Sequence, residues 1–334
     1  MTFQARRHMR SRVGLGVLYA VFGLAAIAAL GGGVETFKES RDHRALAMPG
    51  ELISVGDHGL HIFCTGTGHP TVVLEPGLGE PSSVMSGWIA PEVSLHTRVC
   101  VYDRAGRGWS ESTASPQDGL AVAADLHTLL KESGERGPYV LAGHSLGGIY
   151  VMNFANLYPD EVAGVVLLDS MHPQQYERIS SYPTFYQAFR RVSALLPSVS
   201  RFGLARLVAS SGSTGLPPQA RNEERAFWST ARQFRSLRDE FAQLPTALDQ
   251  AGALKTLGDK PLIVVTAGKG AQEGWPILQD ELARLSSNVL HRLVPDASHA
   301  ELVENETDAA VSSQAVVDVV SSVRAGQALS IGRH

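Results

Sequence analysis

A chain of 334 residues, 44% hydrophobic and 19% charged, can bury one sizeable core and has the composition of a globular protein. Its formal net charge is -4, and no basic stripe interleaved with aromatics follows the first dozen residues, which excludes nucleic acid as an expected partner. Cys64 and Cys100 are the two cysteines; neither stands in a metal-ligand spacing and no Cys/His cluster exists, so no metal site is expected.

Arg6, Arg7, Arg10 and Arg12 precede an uncharged run from Val13 to Val34. A helix over that run reaches roughly 30 Å, about the hydrocarbon thickness of a bilayer. Residues 1–34 therefore predict either a retained membrane anchor or a secretory signal cleaved near Ala26–Ala28 or Ala28–Leu30. Either fate favours a catalytic domain outside the cytoplasm, although Lys38, Arg41 and Arg44 weaken the charge asymmetry. Residues 35–50 are polar and predict a linker.

From residue 51 a regular alternation begins. Glu51–Asp57 and Leu60–Cys64 predict a hairpin; Thr71–Leu74, Arg98–Tyr102, Pro138–Ala142, Val162–Leu168, Pro261–Thr266 and Val289–Val294 predict further strands. Most are uniformly apolar, as strands buried on both faces of a parallel sheet are. Predicted helices lie between them over Leu120–Lys131, Ser145–Leu157, Ile277–Leu285 and Asp308–Val323. Strand, helix, strand in this rhythm calls for an α/β fold with a doubly wound sheet. The rhythm stops over 170–260, where the aromatic-rich segments Tyr182–Leu196 and Asn222–Leu244 predict a helical lid. The core is thus expected over 51–169 and 261–325.

Gly143-His144-Ser145-Leu146-Gly147 matches G-x-S-x-G, in which a serine sits on a tight strand-to-helix turn with its hydroxyl exposed. It follows an apolar strand and opens a helix, as that motif requires, so Ser145 is the expected nucleophile. A serine needs a base, and His299, after the last strand, fits best. His172 is a possible pocket residue. The third member is a carboxylate that orients the imidazole. The loop after Thr266 reads Ala267-Gly268-Lys269-Gly270 and offers no acid, so Asp169, ending the preceding strand, is expected, with Glu273 as the alternative. Leu146 N–H and Leu78 N–H, the latter in Glu75-Pro76-Gly77-Leu78-Gly79, are the expected oxyanion donors. Asp103-Arg104-Ala105-Gly106-Arg107 lacks the Gly-Lys-Ser/Thr end of a phosphate loop and reads as a turn whose Asp103 and Arg104 satisfy local backbone groups.

Together Pro76–Gly79, Tyr102–Gly106, Gly143–Gly148 and Leu167–Ser170 resemble the α/β-hydrolase superfamily, in particular bacterial serine hydrolases with an N-terminal membrane segment. The resemblance implies a mostly parallel eight-stranded sheet with flanking helices and a lid. It also implies that the Cys64 strand lies beside the Cys100 strand, so a disulfide forms if the two residues fall opposite each other. The expected activity is that of a carboxylesterase-like serine hydrolase on a small-molecule ester or related acyl substrate, with no cofactor. Ser145 argues against the family's dehalogenases and epoxide hydrolases, whose elbow carries a carboxylate. A non-catalytic ligand-binding module and an acyltransferase are the alternatives. Phe185, Tyr186, Phe189, Phe227 and Trp228 either line an apolar acyl pocket or pack the lid. Oligomeric state is not encoded in any of these features.

Overall fold

The computed structural model describes residues 18–19, 22–23, 29–42, 44–209 and 215–330. Eight strands form one sheet in the order β1-β2-β4-β3-β5-β6-β7-β8. They are β1 (Glu51–Ser54), β2 (Gly59–Thr65), β3 (Val72–Glu75), β4 (Val99–Tyr102), β5 (Tyr139–His144), β6 (Val162–Leu168), β7 (Leu262–Lys269) and β8 (Val289–Ser298). The pairings β1–β2 and β2–β4 are antiparallel; every pairing from β4 across to β8 is parallel. The central strands β3, β4 and β5 are buried at every position, which is why their sequences are apolar rather than alternating up to Glu75 and His144 at the carboxyl ends of β3 and β5.

Helices Gly119–Glu132 and Leu146–Leu157 bury one sheet face, and Ile89–Ser94 with Glu306–Ala325 cover the other. The carboxyl ends of β3, β5, β6, β7 and β8 open on one edge, the place where ligands bind in parallel α/β sheets. Among the described residues, five helices between Tyr182 and Ala251 lie over that edge.

Three segments differ from the sequence expectation. Residues 35–42, expected as linker, are helical, because Glu35 and Asp42 pair with Arg206 of the lid and Thr36 and Ser40 bond back to carbonyls one turn earlier. The expected helix Asn222–Leu244 is two helices, Pro218–Phe227 and Ala231–Ala251, divided where the Thr230 side chain caps the second by accepting from Gln233 N–H. The second continues past Pro245. The apolar run 13–34 lies largely outside the described residues, and among the described residues no helix is long and apolar enough to cross a membrane. The expected anchor or signal segment thus falls largely outside the described residues.

Cys64 and Cys100 are direct register partners on β2 and β4 and form a disulfide. The bond closes a sequence separation of 36 residues. Restricting a loop of that size in the unfolded chain stabilises a protein by about 2–4 kcal/mol. The Cys64→Ser variant is expected to lose that amount in urea unfolding, and wild type under reducing conditions to match it. Equal midpoints with and without reductant would show that the disulfide contributes nothing.

Candidate active site

Ser145 caps the helix Leu146–Leu157 with φ 56° and ψ −121°. Only one other described non-glycine residue has positive φ: Asp169, at 42°. Strain of this kind persists only where surrounding structure holds it, and it gathers at functional positions. The elbow is held by Ser145 N–H donating to Leu168 O at 3.0 Å and by Met171 N–H donating to Ser145 O at 3.0 Å. Its closeness demands glycine: a Cβ on Gly143 would meet the Gly147 carbonyl at 2.6 Å, and one on Gly147 would meet Glu75 O at 2.3 Å.

Asp169 follows directly from β6, and its N–H donates to Val265 O at 2.7 Å, so the sheet itself fixes the residue. The carboxylate oxygens divide their partners. Oδ2 lies 2.6 Å from His299 Nδ1, while Oδ1 accepts from Trp275 Nε1 at 2.8 Å and from Ala267 N–H at 3.1 Å. Burial alone would raise this carboxyl; the His299 bond and charge, with the two further donors, hold it below its ordinary value. Glu273 is exposed on the loop before Trp275 and makes no hydrogen bond to His299 among the described residues. Trp275 was not anticipated from sequence: an indole N–H beside an acid has no spacing signature.

Behind His299 stands a second histidine. The His144 ring lies 4.6 Å from the His299 ring, with Nε2 3.1 Å from His299 O and Nδ1 3.4 Å from Glu80 Oε2. Both ring nitrogens face acceptors, which suits an imidazolium. Burial would lower the His144 pKa, but the facing Glu80 carboxylate reverses that and raises it.

Ser145, Asp169, His299 and Leu78 line one cavity of about 370 Å³, with Met171, Tyr182, Phe185 and Phe241 supplying apolar wall. No hydrogen bond among the described residues joins Ser145 to His299; they share the cavity, not a bond. Leu146, first residue of its helix, carries one of the N–H groups that have no intrahelical acceptor. In the loop after β3, Gly77 N–H donates to Glu80 Oε2 at 2.6 Å and Gly79 N–H to Glu240 Oε2 at 3.0 Å. Leu78 N–H stands between them, engaged by no hydrogen bond among the described residues.

Of Phe185, Tyr186, Phe189, Phe227 and Trp228, only Phe185 lines the cavity. Tyr186 and Phe189 pack on Phe241 at 4.9 and 4.6 Å, Phe227 on Trp109 at 5.2 Å, and Trp228 on Phe234 at 5.6 Å. His172 is outside the cavity, buried beside Glu281.

An eight-stranded, mostly parallel sheet with a strained serine at the β5 turn and an Asp–His pair from β6 and β8 is the architecture of α/β hydrolases. The chain belongs to that family: the family model described as the alpha/beta hydrolase fold matches residues 70–306. An uncharacterized protein of Schizosaccharomyces pombe is 29% identical over 76% of this chain and 53% of its own length. A Bacillus subtilis protein, also uncharacterized, is 31% identical over 42% of this chain and 43% of its own. The chain thus spans about half the length of these curated relatives. Among solved structures, a thermophilic esterase from Thermogutta terrifontis superposes with TM-score 0.64 at 24% identity, over 82% of this chain and 98% of the esterase. The enol-lactonase of Burkholderia xenovorans gives 0.61 at 20% identity, over 81% and 100%. At these identities the structural likeness establishes the fold alone.

Proposed function

We propose that this α/β hydrolase is a serine hydrolase that cleaves a carboxylic ester or related acyl bond through an acyl-enzyme. The observation that carries the reading is a single cavity holding a strained Ser145 together with a His299 whose Nδ1 is tied to a buried carboxylate. Ser145 Oγ attacks the substrate carbonyl carbon while His299 Nε2 takes its proton. Asp169 holds the imidazole so that Nε2 is the basic nitrogen and offsets the imidazolium charge. Leu146 and Leu78 N–H donate to the developing oxyanion. His299 returns the proton to the leaving alcohol, and water, deprotonated by the same histidine, then releases the acid and frees Ser145.

The apolar wall of Met171, Tyr182, Phe185 and Phe241 in a cavity of about 370 Å³ suits a short to medium acyl chain. The Cys64–Cys100 disulfide supports a location outside the reducing cytoplasm. The test is incubation of the full chain with a fluorophosphonate probe, followed by digestion, and turnover of p-nitrophenyl esters from acetate to decanoate. The expected result is one adduct, on the peptide containing Ser145, and a rate maximum at short or medium acyl length. Folded protein that takes up no probe and turns over no ester would remove this reading.

A further inference from the structure

The buried polar residues of the lid and of the loop after β4 converge on the segment Glu75–Gly79 rather than on each other's local backbone. Arg104 was expected to serve nearby groups of its own turn; instead its guanidinium spans three elements. Nη1 donates to Pro76 O at 2.8 Å and to the Glu75 carboxylate, Nη2 donates to Gly77 O at 2.7 Å, and Nε donates to Glu240 Oε1 at 2.8 Å. The same guanidinium lies 4.9 Å from the ring centre of Tyr150, on the helix that begins at the elbow. Glu240, from the lid helix Ala231–Ala251, accepts Gly79 N–H, Tyr150 Oη–H and Arg107 Nη2 as well. Gln233 of the same helix donates to Gly79 O at 2.6 Å. Arg104 and Glu240 are both almost fully buried.

The bond to Gly77 O has a consequence one atom pair away. Gly77 C=O and Leu78 N–H are the two ends of one planar trans peptide unit and point in opposite directions. A cation fixed on the carbonyl sets the rotation of that plane and therefore the direction of the N–H. It also draws electron density toward the oxygen, which makes the N–H a stronger donor. The flanking units cannot turn to compensate, because Gly77 N–H, Gly79 N–H and Gly79 O are each bonded elsewhere. A buried ion cluster is a weak source of stability when compared with apolar packing of the same volume. Aiming a catalytic donor is a task that apolar packing could not perform.

We propose that Arg104, held by Glu240 of the lid, is a positioning residue for the oxyanion hole: through Gly77 O it aims and polarises the Leu78 N–H. The lid helix thereby takes part in building the site and does not only cover it. The inference rests on the reading of Leu78 as an oxyanion donor under Proposed function.

The experiment compares Arg104→Lys and Arg104→Gln with Arg107→Gln, in the full chain, on the p-nitrophenyl ester that wild type turns over fastest. Arg107 belongs to the same buried cluster and bonds Glu240, but among the described residues it has no hydrogen bond to the Glu75–Gly79 carbonyls. Each protein is also titrated with an alkyl trifluoromethyl ketone, whose serine adduct carries an oxyanion, and with the product carboxylate, which does not form one. For the Arg104 variants, kcat is expected to fall about 10- to 100-fold with KM within about threefold, since misaiming a donor costs less than deleting it. Ketone affinity is expected to fall in parallel while product affinity holds, and Arg107→Gln is expected to keep wild-type kcat within about twofold. Glu240→Gln, which keeps an acceptor for Gly79 N–H but loses the charge facing Arg104, covers the case in which the Arg104 variants do not fold; it is expected to show the same split at about 10-fold.

Unchanged kcat in a folded Arg104 variant, or in Glu240→Gln where neither Arg104 variant folds, would overturn the inference. So would an equal loss of ketone and product affinity, or an equal loss in Arg107→Gln. Wild type that neither reacts with fluorophosphonate nor turns over ester would instead remove the underlying reading of the site.

Discussion

Ser145→Ala is expected to lower kcat for a p-nitrophenyl ester by a factor of about 10⁴ to 10⁶ and to abolish fluorophosphonate labelling. The substitution removes one oxygen and leaves the Cβ, so the elbow keeps its steric demands and its bonds to Leu168 and Met171. A loss of that size is therefore chemical. KM should stay within a few-fold, because the apolar wall of the cavity is untouched. His299→Ala should lose nearly as much, and the double variant no more than the worse single one, since a nucleophile and its base act as one unit. Additive losses would mean that the two residues serve different steps. A Ser145→Ala protein retaining more than about one hundredth of kcat would place the nucleophile elsewhere.

The parts of this site that the sequence carries are those encoded within a few residues. Apolar runs gave the central strands because both faces of the sheet are covered, and glycines 143 and 147 marked the elbow because backbone passes where a Cβ would collide. Asp169 is legible from its place at the end of the apolar β6 strand together with the missing acid in the loop after Thr266. What the sequence did not carry is held together over long separations. Arg104 and Glu240 lie 136 residues apart, and Asp169 and Trp275 lie 106 apart, with no periodicity linking either pair.

The lid shows the same limit in another form. The predicted segment Asn222–Leu244 stops just before Pro245, and a residue that precedes proline disfavours helical backbone. The structure continues to Ala251 because Leu237, Phe241, Leu244, Leu248 and Ala251 form one buried stripe, and that packing outweighs a single lost hydrogen bond. Which lid aromatics face the cavity followed from helix rotation, which composition does not report: Phe185 and Phe241 line it, and Tyr186 and Phe189 stack behind.

Asp169→Asn is expected to cost about 10⁴-fold in kcat near neutral pH, an amount typical of an orienting carboxylate in such a triad. The hydrogen bonds around this residue give the reason. Oδ1 accepts from both Trp275 Nε1 and Ala267 N–H, so the amide oxygen of asparagine must occupy that position. Its NH₂ is then left facing His299 Nδ1, where the wild-type carboxylate oxygen stands at 2.6 Å. The imidazole can accept that bond only by carrying its proton on Nε2, the tautomer that cannot take a proton from Ser145. Acid stability should change in a defined sense as well. The Asp169 carboxyl is depressed in the folded protein, so its contribution is present above its ordinary value near pH 4 and is lost as pH falls through the folded value. Urea midpoints measured from pH 5 down to pH 3 should therefore fall less steeply for the asparagine variant than for wild type. A variant that kept more than a tenth of wild-type kcat would show that His299 is oriented by something else, and Glu273, the nearest remaining acid in sequence on that loop, would be the residue to replace next.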